Sequence, residues 1–254
     1  MNIQDFQRLE MNGGNVEEGE DVWRFELPPV SSGYGDAQVH DYGRFPLRRH
    51  TFPWSSGTRL TLEARFSHDH TGLLGTAGFG FWNAPFADPS LKWPALPQAT
   101  WFFFASKPND LPLAATGPGR GWFAATLDAT TPQALAWAPA APVVLFLNQF
   151  PGIRQRLWPK VQQSLGISFT QLDVDLQAWQ RYELVWQKTG CRFTVNGNTV
   201  LDTPFSPRGP LGFVCWIDNQ FMVVKANGRF RWGTLTTTKT QWMEIKNLSI
   251  ESAN

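Results

Sequence analysis

The stretch that decides the fold is Tyr182-Glu-Leu-Val-Trp186 followed by Cys191-Arg-Phe-Thr-Val195. In both runs apolar and polar residues alternate, which is the period of a β-strand with one buried face. Asn196-Gly197 then predicts a type I′ turn into Thr199-Val-Leu201, because both turn positions need a positive φ. This part of the chain therefore predicts consecutive antiparallel strands joined by tight turns.

The same signals continue on both sides of this stretch. Upstream, the pattern predicts strands over 59–66, over the glycine-rich run 75–82 and over the almost wholly apolar run 99–105. Downstream, Asn227-Gly228 predicts a hairpin between 221–225 and 230–232, and the strand 242–250 loses its alternation near Asn247, which we interpret as a β-bulge. Many strands with turn signals predict an all-β, two-sheet antiparallel sandwich.

One segment breaks the β pattern. In 153–165 the apolar residues Ile153, Leu157, Val161 and Leu165 are four apart, and Gly166 follows. This spacing places them on one face of a helix, so we expect one helix inserted at 153–165. The segment from Thr130 to Pro142 is rich in Ala and Pro and is expected to be an extended loop.

Composition indicates one domain, 1–254, with a large core. Hydrophobic residues make up 42% and charged residues 17% of the chain, and the formal net charge is +1. A net charge so near zero gives no electrostatic reason to expect nucleic acid or an anionic membrane as a partner. Residues 1–10 resemble neither a signal peptide nor an anchor, so we expect a cytoplasmic protein. Cys191 and Cys215 are expected to be free, buried thiols.

Several segments resemble family 16 glycoside hydrolases. Tyr182, Trp186 and Val195-Asn-Gly197 are similar to that family's Tyr-x-x-x-Trp strand and the Val-Asp-Gly end of the next strand. Upstream, Tyr42-Gly-Arg-Phe45 and Gly78-Phe-Gly-Phe-Trp82 are similar to two further strands of the family. The resemblance runs loosely over 42–250 and implies a concanavalin A-like jelly roll with a glycan cleft on the concave sheet.

The chain departs from that family at the catalytic strand. The family reads Glu-x-Asp-x-x-Glu there, because retaining hydrolysis needs two carboxyl groups about 5 Å apart. The matching place is taken by Thr100-Trp-Phe-Phe-Phe-Ala105, and no Asp or Glu occurs between Asp88 and Asp110. We therefore expect no standard retaining glucanase activity.

Three carboxylates remain as weak candidates for relocated catalysis. Asp173 and Asp175 have the two-residue spacing that places side chains on one face of a strand, although solvated acids are the plainer interpretation. Asp218 opens the polar run Asp218-Asn-Gln220 at the end of an apolar strand, where it either lines a ligand pocket or begins a turn.

The chain holds 13 Trp and 20 Phe against 3 Tyr, which favours either a wide core or a ring-lined ligand groove. On the strand at 100–104, alternation separates Trp101 and Phe103 from the other three residues, and the sequence alone leaves open which set is core. The predicted ligand-binding residues are Trp82, Thr100, Phe102, Phe104, Trp122, Trp216, Asp218, Asn219, Gln220 and Trp232. We expect them to gather in one concave pocket, roofed at one end by the inserted helix.

Other polar motifs favour the plainer interpretation. His68 and His70 have the spacing of a metal clip, but no third ligand is evident, so a solvated loop is expected and no metal. The Arg-rich piece Arg44 to Arg49, flanked by His40 and His50, fits either an anion site or an exposed basic edge. No phosphate-binding or dinucleotide fingerprint occurs, so no cofactor is expected.

Two function classes follow from these observations. The first is a ligand-binding protein that stacks aromatic rings on a carbohydrate in a concave cleft. The second is an enzyme, glycoside hydrolase-like or acting on a hydrophobic small molecule, with relocated acid and base groups in the same cleft. A strongly shifted carboxylate or histidine pKa in the cleft would favour the enzyme.

Overall fold

The computed structural model describes residues 5–43, 52–85, 95–113 and 119–252. Its strands are β1 Gln7–Met11, β2 Asn15–Glu18, β3 Val22–Leu27, β4 Asp36–His40, β5 Thr58–Phe66, β6 Thr76–Trp82, β7 Gln98–Ala105, β8 Gly121–Asp128, β9 Ser168–Gln171, β10 Gln180–Gln187, β11 Gly190–Val195, β12 Asn198–Thr203, β13 Gly212–Asp218, β14 Gln220–Val224, β15 Phe230–Thr234 and β16 Gln241–Ser252. Its helices are α1 Pro132–Trp137, α2 Ala141–Leu147 and α3 Pro151–Ser164. The strands form a two-sheet sandwich, as the alternation predicted.

Two seven-stranded antiparallel sheets make up the body of the molecule. Sheet A has the order β1-β4-β13-β6-β7-β8-β9, and sheet B has the order β12-β11-β10-β5-β16-β3-β2. Neighbouring strands in each sheet come from distant parts of the sequence, as in β4 beside β13 and β5 beside β16. The chain passes repeatedly from one sheet to the other, which is the jelly-roll pattern.

Aromatic rings fill the space between the sheets. Phe79 and Phe102 of sheet A contact the Tyr182 ring of sheet B at centroid distances of 5.1 and 4.9 Å. Phe102 also meets Phe193 of sheet B, edge to face, at 5.3 Å. Such tilted contacts let flat rings pack without voids, so much of the aromatic surplus is core.

The local signals in the second half of the chain are confirmed. Asn196 and Gly197 have φ values of 51° and 80° and join β11 to β12. Asn247 has a φ of 54°, and the pairing of β16 with β5 shifts register between Lys246 and Ser249, which is the expected bulge. Cys191 and Cys215 are free and buried, as expected.

The helical part of the chain is longer than the sequence indicated. The single helix expected at 153–165 is observed as α3, which spans Pro151–Ser164. However, the segment expected to be an extended loop forms α1 and a short 3₁₀ turn, Ala138–Ala140. Thr131 caps α1 by accepting a hydrogen bond from the backbone N–H of Ala134 at 2.9 Å, so the prolines mark helix starts and not an extended chain.

The strands β14 and β15 form a separate two-stranded ribbon. The ribbon is held to the β7–β8 connection by a hydrogen bond of 2.7 Å from the Met222 backbone N–H to Asn109 Oδ1. The Lys225 ammonium pairs with the Asp110 carboxylate at 3.0 Å. The hairpin signal at Asn227-Gly228 is therefore confirmed, within a connection of five residues.

Candidate functional site

The face of sheet A that points away from sheet B, here called the outer face, is the candidate site. Along β7, Thr100, Phe102 and Phe104 point to the core between the sheets. The alternate positions, Trp101 and Phe103, point outward. Strand β7 contains no Asp or Glu, and its two outward aromatic side chains present rings on this face.

Four rings on the outer face form one cluster, here called the aromatic cluster: Trp82, Trp101, Phe103 and Trp216. The Trp101 ring lies 6.0 Å from the Trp82 ring and 5.9 Å from the Trp216 ring, between centroids. The planes of Trp82 and Trp216 are within 10° of parallel. Trp216 is 6% and Phe103 8% exposed, whereas Trp82 and Trp101 are half-buried, so the last two are the rings that can meet a ligand.

Two glycines of β6 make room for this cluster. A Cβ built on Gly78 would lie 3.0 Å from the Trp216 ring and 2.4 Å from the Phe102 carbonyl oxygen. A Cβ on Gly80 would lie 2.6 Å from Trp101 Cβ, and Gly80 has a φ of 149°. In the structure two indole side chains, those of Trp101 and Trp216, take the space that the missing side chains leave.

A polar rim borders the aromatic cluster along β4 and the residues after it. The Gln38 amide donates to Tyr42 Oη at 3.4 Å, and the Trp82 indole N–H donates to the same oxygen at 3.2 Å. The His40 ring stacks on Tyr42 with centroids 4.3 Å apart. Burial lowers the pKa of His40 to about 4, so the rim is uncharged at neutral pH. An apolar body with a few neutral polar groups is the composition of a small-molecule or sugar site.

Two buried carboxyl groups, here called the carboxyl pair, lie at one end of the outer face. Asp36 of β4 and Asp218 of β13 are opposed in register. Side chains in that relation have Cβ atoms about 4.5–5.5 Å apart. Asp218 Oδ1 accepts hydrogen bonds from the Thr76 N–H and hydroxyl and from the Gln220 N–H, and Asp218 Oδ2 accepts from the Tyr34 hydroxyl at 3.3 Å.

The carboxyl pair does not ionise like two free aspartates. Burial raises the pKa of Asp218 to about 6, although its hydrogen bonds act in the other direction. Burial and repulsion by Asp218 raise the pKa of Asp36 well above its usual range. The Tyr34 hydroxyl, which donates to Asp218, lies near enough to Asp36 to oppose part of that rise, but within the described part of the chain neither Asp36 carboxyl oxygen accepts a hydrogen bond of normal geometry. Ionisation is therefore easier at Asp218, whose carboxylate accepts four hydrogen bonds, than at Asp36.

Four predicted ligand-binding residues lie on the other side of sheet A and must be corrected. Thr100, Phe102, Phe104 and Trp122 are each 0% exposed and belong to the core between the sheets. The Thr100 hydroxyl donates to the Cys191 sulfur of sheet B at 3.6 Å. The prediction chose the wrong side of β7, because alternation shows which residues share a face but not which sheet that face meets.

Trp232 and the acids at 173 and 175 are also not at the site. Trp232 lies on β15, outside sheet A, is 63% exposed and is not part of the aromatic cluster. Asp173 and Asp175 are exposed in the connection before β10, and Asp175 Oδ1 accepts a hydrogen bond from the Gln177 N–H at 2.9 Å. The structure thus brings together only Trp82, Trp216 and Asp218 of the predicted set.

Asn219 and Gln220 follow the carboxyl pair in the chain but have different surroundings. Asn219 is 0% exposed: its Oδ1 accepts from the Gly35 N–H, and its Nδ2 donates to the carbonyls of Gly33 and Leu235. All of its polar groups are used in holding the chain together, so the prediction that Asn219 contacts a ligand is corrected. Gln220 is half-buried and begins β14.

The remaining polar motifs are located as follows. His70 Nε2 lies 2.9 Å from the Val174 carbonyl, and His68 Nδ1 lies 2.7 Å from the Ser67 hydroxyl. Among the residues that the structure describes, no group of three or more His, Cys, Asp or Glu is placed to hold a metal ion. The piece Arg44 to Arg49 and His50 lie outside the described residues. None of the helices described has the length and hydropathy needed to cross a bilayer.

The predicted set left out Trp101 and Phe103 of the aromatic cluster, and also Asp36 and Tyr34 at the carboxyl pair. The signal for Asp36 was present in Asp36-Ala-Gln-Val-His40, where polar and apolar residues alternate as in a strand with one polar face. That signal shows which residues share the polar face of the strand, but not which strand lies beside it. The pairing with Asp218 depends on the contact between β4 and β13, which are separated by more than half the chain.

Comparison with known proteins supports the fold. A GlcNAcα1-4Gal-releasing endo-β-galactosidase from Clostridium perfringens matches with a TM-score of 0.57 and 9% identity, over 99% of this chain and 59% of that one. The Crh5 transglycosylase in complex with NAG matches with a TM-score of 0.52 and 10% identity, over 100% of this chain and 81% of that one. This chain thus spans about three fifths of the galactosidase chain.

Neither a protein-family model nor a curated protein matches the sequence. At identities of 9% and 10% the two structural matches establish the fold alone. The chain therefore has the jelly-roll fold found in glycoside hydrolase-like proteins.

Proposed function

We propose that the chain binds carbohydrate on the outer face of sheet A and lacks standard retaining glucanase activity. The observation that carries this proposal is the aromatic cluster, which occupies the outward positions of β7 and its neighbours. Trp82 and Trp101 are half-buried, which leaves part of each indole open to a sugar ring. Sugars expose apolar C–H faces that stack on indoles, and the half-buried, uncharged His40 at the rim offers a hydrogen bond for orientation.

The structural neighbours agree with a carbohydrate ligand. One is described as an endo-β-galactosidase and the other as a transglycosylase in complex with NAG. In this fold the face that corresponds to the outer face holds the glycan cleft in the hydrolase family that the sequence resembles. Because β7 has no carboxylate, the proposal retains the ligand class and not the reaction.

The test is calorimetric titration with three oligosaccharide series: β-1,3-linked glucose, β-1,4-linked glucose and β-1,4-linked N-acetylglucosamine. Binding of at least one series is expected, and Trp101→Ala should weaken it by about 1 kcal/mol or more, the contribution of a stacked ring. Trp232→Ala is the matched control, since Trp232 is exposed and belongs to the β14–β15 ribbon and not to sheet A. Equal losses in both variants, or binding unaffected by Trp101→Ala, would refute the proposal.

A second candidate is supported by the carboxyl pair. An aspartate that resists ionisation, Asp36, beside the more readily ionised Asp218 resembles the pairing of acid and nucleophile that retaining hydrolysis uses. Against it, Asp36 is 0% and Asp218 3% exposed, so a glycosidic bond cannot reach them in this structure. Binding is therefore the better-supported function.

The two candidates are separated by reducing-sugar release from the same oligosaccharides. The binding proposal predicts no release by the purified protein. Release that is abolished by Asp36→Asn and by Asp218→Asn, but retained in Asp173→Asn and Asp175→Asn, would establish the enzyme. The last two variants are matched controls because both carboxylates are exposed and lie away from the pair.

A further inference from the structure

Charge is unevenly distributed along the chain. Residues 129–172 and 219–243 contain no Asp or Glu, but hold three and four Lys or Arg respectively. The whole chain has 22 cationic and 21 acidic residues, so 15 cations and all 21 acids lie elsewhere, a net charge of −6. The overall charge of +1 therefore conceals two cationic segments on an otherwise acidic protein.

The same two segments hold most of the exposed apolar side chains. Eleven large hydrophobic residues are exposed in the described part of the chain, and eight belong to these segments. Six of them are in the helical region: Leu135, Val143, Leu145, Phe146, Phe150 and Ile153. The other two, Phe230 and Trp232, are on β15. Concentrated exposure of this kind marks an interaction surface, unlike scattered surface apolar residues.

The two segments meet in space, through residues that are 78 positions apart in the sequence. The Asn148 amide donates to the Ala226 carbonyl at 2.9 Å, and the Gln149 amide donates to the Asn227 carbonyl at 2.7 Å. A Cβ built on Gly228 would lie 3.4 Å from Leu145 Cδ2. The end of α2 is thus fixed to the β14–β15 turn, and the two form one surface, here called the apolar-cationic surface.

A groove of about 620 Å³ lies on this surface, between the end of α2 and α3. Phe150, Ile153 and Leu157 line its apolar part, and Arg156 and Lys160 also line it. The rings of Phe146 and Phe150 pack edge to face at 5.7 Å, which fixes two exposed aromatic side chains side by side. Apolar groups with cations beside them match the boundary between acyl chains and anionic headgroups.

We propose that the apolar-cationic surface docks the protein on the surface of an anionic lipid bilayer. Phe146 and Phe150 enter the boundary between headgroups and acyl chains, and Arg229, Arg231 and the cations of α3 attract the anionic headgroups. The charge pattern favours lipid over a protein partner. Neither segment contains an acidic residue, so both match a surface whose charges are all negative, as on an anionic bilayer. This inference does not depend on carbohydrate binding.

The test is co-sedimentation of the full chain with two kinds of vesicle: phosphatidylcholine alone, and equal parts of phosphatidylcholine and phosphatidylserine. Binding is expected to the second kind and to be much weaker for the first. Phe146→Ser with Phe150→Ser should lower the partition coefficient by at least about tenfold. Arg229→Gln with Arg231→Gln should lower it by about tenfold or more, on the anionic vesicles only.

Matched controls lie elsewhere on the surface. Leu96→Ser removes an exposed apolar side chain and Arg181→Gln an exposed cation, both outside the two segments, and neither should change binding. Far-UV circular dichroism checks that each variant keeps the β-dominated fold.

Three results would overturn the proposal. They are absence of binding to the anionic vesicles, equal losses in the control variants, and self-association in sedimentation velocity that the Phe146 and Phe150 changes abolish. The last result would assign the surface to a second copy of the chain.

Discussion

Sheet A carries aromatic rings on both faces, and β7 shows the contrast at adjacent positions. Phe102 points toward sheet B, is 0% exposed and contacts rings of both sheets. Trp101 points away from sheet B and is half-buried among the rings of the outer face. On β7, therefore, the side of the strand decides the role of an aromatic residue. A ring that faces sheet B stabilises the fold, and a ring on the outer face is a candidate for ligand binding.

The inner face should depend most strongly on its rings. Phe102→Ala removes a ring from a close-packed region and leaves a cavity, so it is expected to lower the free energy of unfolding by about 3–5 kcal/mol. Trp101→Ala, one residue away, should lower it by less, since part of that ring already meets solvent. Urea denaturation of both variants measures the contrast. Similar losses for the two would mean that the outer face is simply a second core.

The carboxyl pair should make the stability of the protein depend on pH, whereas the aromatic cluster on the same face should not. In the folded state the pKa values of Asp36 and Asp218 are raised, so over the range above about pH 4 the folded protein holds protons that the unfolded chain releases. The contribution of these two carboxyl groups to the free energy of unfolding is therefore fully present at low pH. It is lost as the pH rises through their pKa values in the folded protein.

Asp36→Asn should remove part of the loss of stability that the folded protein undergoes as the pH rises. The variant is expected to gain stability relative to the unmodified protein as the pH rises from about 4 to about 7, by up to about 1.4 kcal/mol for each pH unit. The lowered pKa of His40 acts in the opposite direction, but it is present in both proteins and cancels in the difference. Thermal unfolding at several pH values measures this. A difference that is constant with pH, or that shrinks as the pH rises, would contradict a protonated Asp36.

The smallest effects are expected where the sequence suggested a catalytic pair. Asp173→Asn and Asp175→Asn alter exposed carboxylates with few contacts, so each should change the free energy of unfolding by less than about 0.5 kcal/mol. Neither should change oligosaccharide binding. A loss of binding in either variant would show that a ligand extends beyond the outer face, to the connection before β10.

Local patterns were enough to predict the sandwich. The alternation at 182–186 and 191–195, the Asn196-Gly197 turn and the slip at Asn247 all correspond to observed features. These features arise from contacts near in sequence, so the residues themselves specify them. The error at 130–142 arose because prolines at helix starts resemble prolines in loops, and only the cap at Thr131 distinguishes them.

The site was only partly predictable, since it depends on contacts that are distant in sequence. Alternation separated Trp101 from Phe102 but did not show which of them faces sheet B. The partnership of Asp36 with Asp218 is created by the order of strands in sheet A. Likewise, the net charge of +1 gave no sign that two acid-free segments form one surface, because the α2–α3 region and the β14–β15 turn meet only in the folded chain.

The most direct test of the central claim is to observe the tryptophan indole N–H signals by ¹⁵N-edited NMR during titration with an oligosaccharide that binds. The outer face holds the indoles of Trp82, Trp101 and Trp216, while those of Trp122 and Trp186 lie in the core. Carbohydrate binding on the outer face predicts chemical-shift changes for the first group of indoles, largest for Trp82 and Trp101, and almost none for the second. Shifts centred on Trp232, or on no outer-face indole at all, would contradict it.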